Sequence, residues 1–143
     1  MSDLLIRGRV LTFIAEPQGI DDTASYRYFE DGAVFVRDGK VVDTGDYAAI
    51  SKLAGTDVEV ADHRPNLVLP GLIDTHLHFP QTQAIASYGA QLLEWLNTYI
   101  FVEEQKFAEA AHAAAVADRF YDELLSNGTT TAGQPAATTA EQP

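Results

Sequence analysis

The chain has 143 residues, 46% of them apolar, enough for an ordinary folded domain to bury a core, and this excludes a disordered or fibrous chain. With no cysteine it can build neither a disulfide framework nor a thiolate metal site, so any bound transition metal falls to imidazole and carboxylate. Nine basic residues against 21 acidic give a formal charge of -12, which repels a phosphate backbone and argues against a nucleic-acid partner, whereas a small neutral or cationic molecule fits.

No apolar run approaches the ~20 residues that cross a bilayer, which argues against a membrane partner. The first residues carry neither a signal core nor a lipidation pattern, so a cytoplasmic protein is expected. β-Branched runs at residues 4–13, 33–36, 41–44 and 58–60 alternate with turn signals and predict short strands. Asp38-Gly39 suits a turn with positive φ and predicts a hairpin joining Val34-Phe35-Val36 to Val41-Val42. Residues 16–27 are polar and predict a loop. His63, ahead of Arg64-Pro65, is expected in a polar turn.

The texture changes at Leu67. Residues 67–74 form an apolar run interrupted only by Pro70-Gly71, which predicts a strand buried on both faces. Helical spacing follows, first in Leu92, Leu93, Trp95, Leu96 and Tyr99, then in Phe107, Ala111, Ala114, Ala117, Tyr121, Leu124 and Leu125. Asn127-Gly128 predicts a left-handed helix stop, and Thr129-Thr130-Thr131 a second short strand. Strand, helices and strand in that order open a βα repeat. Residues 133–143 have no period and predict a tail, in which Pro135 is badly placed for a central strand.

His76-Leu77-His78 carries the chemistry. Side chains at i and i+2 of a strand share a face with their Cα atoms roughly 6 to 7 Å apart, so both imidazoles can reach one metal at about 2.0 to 2.1 Å. A bare His-x-His also occurs simply as polar residues closing a strand. Its position after a buried strand favours the metal, because that is where a βα barrel places its active site. Asp74 shares the strand face of the histidines, and both a ligand-orienting role and a packed one stay open. Trp95 is expected to pack in the core, with pocket lining second. His63 and His112 are expected to be structural or solvated, and Glu103, Glu104, Glu109, Asp118, Asp122 and Glu123 to form wet helix faces.

Pro70-Gly71-Leu72-Ile73-Asp74-Thr75-His76-Leu77-His78 resembles the opening motif of the amidohydrolase superfamily. Phe79-Pro80-Gln81, Leu92-Leu93-Glu94-Trp95-Leu96 with Tyr99, and Asn127-Gly128-Thr129-Thr130-Thr131-Ala132 are similar, in order and spacing, to the guanine deaminases within it. The motif likeness covers residues 69–132. It implies an α/β fold: part of a small β-sandwich over residues 1–66, then the first βα units of a (β/α)8 barrel over residues 67–143, with the barrel incomplete.

The resemblance further implies zinc or another divalent transition metal on His76 and His78, and a purine contact at Gln81, which the residues alone would also allow as a solvated loop glutamine. The implied reaction is hydrolysis of guanine to xanthine and ammonia. A (β/α)8 barrel takes about 250 residues, and the family's general acid and remaining ligands lie in later motifs, so these residues are expected to be a fragment, inactive alone. A homodimer is one state open to the intact protein. Another amidohydrolase, such as a cytosine or triazine hydrolase, and a non-catalytic remnant are the competing expectations.

Overall fold

The computed structural model describes residues 3–89 and 91–133. The chain divides into two compact units, Met1–Pro70 and Gly71–Pro143.

In the first unit β1 (Leu4–Phe13), β2 (Tyr26–Arg37), β3 (Lys40–Asp46) and β4 (Glu59–Val68) make one sheet in the order β3-β2-β1-β4. The expected hairpin turn sits between the paired residues Arg37 and Lys40, with Asp38 at φ 51° and Gly39 at φ 76°. Positive φ at both central residues matches the twist of the strands it joins. β4 returns parallel to β1, with Val68 opposite Val10. A parallel return needs a crossover, and α1 (Tyr47–Ala54) supplies it. This helix went unassigned in the sequence, although Ile50, Leu53 and Ala54 have helical spacing and Gly55, at φ 92°, ends it.

The core of this unit is Leu5, Ala33, Phe35 and Ile50, flanked by Tyr47, Ala54 and Val58. Leu5 lies opposite Phe35, and Ala33, two residues earlier, points to the same face. Gly45, opposite Ala33, leaves room for α1: a Cβ there would come within 3.3 Å of Ile50 Cδ1. Each large apolar side chain so covered contributes about 1.5–3 kcal/mol. On the surface Arg7 donates both Nε and a terminal nitrogen to Asp31 at 2.7 Å and lies over the Tyr47 ring. That hydrogen-bonded guanidinium holds the Asp31 carboxyl below its ordinary range, and Arg64 holds Asp62 well below.

Two expectations are corrected here. Leu67 and Val68 pair with Arg9 and Val10, so the apolar run of residues 67–74, expected as one strand, is split between two sheets. His63 lies within β4 instead of a turn.

In the second unit β5 (Leu72–Asp74) pairs in parallel with β6 (Thr129–Ala132). Between them run a 3-10 turn (Phe79–Ala84), α2 (Leu92–Trp95), a π turn (Leu96–Ile100), α3 (Phe101–Gln105), a second 3-10 turn (Lys106–Ala108) and α4 (Ala110–Ser126). Gly128, at φ 83°, stops α4 as its dipeptide predicts. Leu72 and Ile73 are 53% and 68% exposed, against the expected burial on both faces, because no further strand flanks the pair among the described residues.

The covered side of α4 is Val116, Ala117, Phe120 and Leu124, whereas Ala111, Ala114 and Leu125 of the expected face are exposed. Phe79 decides this, since its ring meets those of Phe107, Phe120 and Tyr121. A tertiary partner here overrides a face drawn from spacing alone. No helix among the described residues is long and apolar enough to cross a membrane. The tail, Pro135 included, lies from residue 134 onward outside the described residues.

Candidate functional site

The two histidines stand past the end of β5 rather than within it. Asp74 Oδ1 accepts the His76 backbone N–H at 3.0 Å, a local turn that lifts the chain out of extended geometry. The neighbouring strand nevertheless keeps hold of it: Gly133 N–H donates to Asp74 O at 2.7 Å, and Leu77 N–H donates to Gly133 O at 3.3 Å. The Asp74 carboxylate thus shapes the backbone that carries His76.

So held, the imidazoles converge. Their Nε2 atoms are 3.0 Å apart, with ring centroids at 5.1 Å and planes tilted by 55°. An ion about 2.0–2.1 Å from each nitrogen would see them at roughly a right angle, so as neutral donors the pair fits a divalent transition metal. Both rings are exposed. No group of three His, Asp or Glu able to hold a metal exists among the described residues.

Gln81 falls in the 3-10 turn Phe79–Ala84, not in an open loop. Its backbone N–H donates to His78 O at 3.0 Å, tying its position to that of the second histidine. Beside it opens a cleft of about 390 Å³, lined among others by His78, Gln81, Ser87, Trp95, Ile100 and Phe120. Trp95 is half-buried on this wall, and its Nε1–H donates to Ser87 Oγ at 2.8 Å. The less favoured expectation, pocket lining, is where the structure places it. His112 packs edge-on to Phe107 with Nε2 buried and no hydrogen-bond partner among the described residues.

One residue of this site was missed. Glu104, expected on a wet helix face, turns inward and accepts a hydrogen bond from Gln81 Nε2 at 2.8 Å. Its inward turn shows only in the structure, where Ile100, four residues earlier, is 1% exposed and marks the covered side of the segment on which the carboxylate sits.

A family model described as "Amidohydrolase family" matches residues 67–142. The guanine deaminase of Escherichia coli is 36% identical over 125 residues, which is 85% of this chain and 28% of that protein. Among solved structures, the guanine deaminase of Bradyrhizobium japonicum matches with a TM-score of 0.86 at 35% identity, over 94% of this chain and 29% of its own. The C. acetobutylicum guanine deaminase, with guanine bound in its active site, matches with a TM-score of 0.74 at 28% identity, over 93% and 30%. The chain therefore spans under a third of the length of these relatives.

Proposed function

Because the chain belongs to the amidohydrolase family, we propose that it carries the opening part of a guanine deaminase, supplying two metal ligands and one substrate contact. The observation that carries this reading is the convergence of His76 and His78 next to a cleft that His78 and Gln81, from the same short segment, both line. Overall, water displaces ammonia from the carbon bearing the exocyclic amine of guanine and leaves xanthine.

In this reading His76 and His78 would hold zinc or a similar divalent metal, which when bound would supply a water acidified toward about pKa 7. Gln81 orients the purine, since a primary amide offers both a donor and an acceptor to its edge. Trp95, Ile100 and Phe120 shut water from one side of the cleft, where polar contacts gain strength. The departing ammonia needs a proton from an acid within hydrogen-bond reach, and we assign that acid, with the remaining ligands, to sequence beyond these 143 residues. β1–β4 with α1 then form the amino-terminal share of a small β-sandwich, and the units from β5 to β6 the start of a (β/α)8 barrel. The protein is read as cytoplasmic, and its assembly as a homodimer is a matter for sedimentation.

The test uses the full-length protein carrying this segment, loaded with zinc and offered guanine, cytosine and melamine. Guanine should yield xanthine and ammonia in preference to the other two; no preference for guanine sinks the assignment. Gln81→Ala should depress guanine use while metal stoichiometry holds, whereas His78→Ala should lose both. Equal metal loss in the two variants would remove Gln81 from substrate contact.

A further inference from the structure

Gln81 donates from Nε2 to Glu104 Oε1 at 2.8 Å, between two half-buried side chains 23 positions apart. A glutamine amide has two orientations of nearly equal shape, related by a flip about its last torsion, that exchange donor and acceptor. An ionised carboxylate can only accept, so it admits one orientation and repels the other, in which oxygen would face oxygen. We propose that Glu104 is a positioning residue that sets the sense of the Gln81 amide, and so which donor and acceptor pattern the cleft presents to a purine edge.

This rests on the reading of Gln81 as a substrate contact and adds a determinant of specificity to it. With one N–H engaged by Glu104, the amide oxygen and the second N–H remain, in fixed relation, for the ligand. Guanine presents N–H donors at N1 and the 2-amino group and an acceptor at N3, so an amide of fixed sense can match that sequence of groups, and an amide free to flip matches it only part of the time. A second anchor holds the same geometry, because the Gln81 backbone N–H bonded to His78 O leaves the side-chain torsions as the only freedom.

Glu104→Gln separates this role from a structural one. The replacement has the same shape and can pair with Gln81, but it accepts either sense of the amide, so packing survives while orientation does not. In the full-length, zinc-loaded protein, Glu104→Gln and Glu104→Ala should both raise KM for guanine by about tenfold, roughly 1.4 kcal/mol, with kcat changed less and metal stoichiometry unchanged. On a Gln81→Ala background Glu104→Gln should have no further effect on KM. In the 143-residue chain itself, side-chain amide NMR should show one sharp pair of Gln81 Nε2 protons, broadened or doubled in Glu104→Gln. A Glu104→Gln protein with ordinary KM, beside a damaged Gln81→Ala, would overturn the positioning role alone. A silent Gln81→Ala would overturn the substrate contact and the positioning role with it.

Discussion

A single methyl group at Gly71 tests how tightly β5 and β6 are joined. A Cβ there would lie 1.9 Å from Thr130 Oγ1, 2.4 Å from Cγ2 and 2.6 Å from Cβ, all far inside contact distance. Rotating the threonine side chain moves the first two atoms but not the third, so Gly71→Ala has to push the two strands apart. Overpacking of this kind costs about 1–3 kcal/mol, and with Cβ itself in the clash the upper half of that range is expected. Urea unfolding followed through Trp95, the sole tryptophan and part of this unit, reports the loss directly. Since β5 leads straight into the imidazole pair, zinc affinity should fall as well. Thr130→Gly removes all three atoms and should make Gly71→Ala nearly neutral on its background, while Thr130→Ala leaves Cβ in place and should rescue little. A loss below about 0.5 kcal/mol in Gly71→Ala, or equal rescue by Thr130→Ala and Thr130→Gly, would refute the steric account.

In the first unit Phe35→Ala should destabilise by about 3–5 kcal/mol in urea, since Phe35 is 1% exposed at the centre of the core; a change under about 1 kcal/mol would mean that α1 does not cover it. Asp31 and Asp62 are both held below the ordinary carboxylate value of 3.8 by their arginines, so their stabilisation is complete above that value and is lost as pH falls through the lower folded values. Unfolding curves should therefore show stability falling below about pH 4, and Asp31→Asn with Asp62→Asn should flatten that fall; an unchanged slope would rule these groups out. Residues 1 to 143 alone should release no ammonia from guanine even with added zinc, because two imidazoles are one fewer than the usual three protein ligands of a catalytic zinc. Activity above a His76→Ala/His78→Ala control would contradict this.

Much of the local structure was legible where a residue type has one conformational use. Asp38-Gly39 and Asn127-Gly128 marked their turns because both glycines sit at positive φ, and β1 showed its full length, Leu4–Phe13. The His-x-His spacing pointed to convergence, although the histidines meet on a bend shaped by Asp74 rather than along a strand. What stayed hidden depended on partners distant in sequence. Leu67 and Val68 read as part of the next strand until their pairing with Arg9 and Val10 is known. The inward turn of Glu104 needed Gln81, and the covered face of α4 needed the Phe79 ring. The π turn Leu96–Ile100 shifts helical phase within one segment, which a constant period does not register.

The hydrogen bonds from Gly133 to Asp74 and from Leu77 to Gly133 give the imidazole pair a schedule as well as a shape. A ribosome makes His76 and His78 first and reaches Gly133 only some seconds later, at synthesis rates of about 5–20 residues per second. Until then the loop has no neighbouring strand to grip it, and two exposed imidazoles on a free chain are a poor trap for an ion. On the proposed reading of this pair as metal ligands, a polypeptide ending before Thr129 should therefore bind zinc more weakly than one extending past Gly133, as titration of the two purified chains would read; equal affinity would show that the grip of Gly133 does not shape the pair.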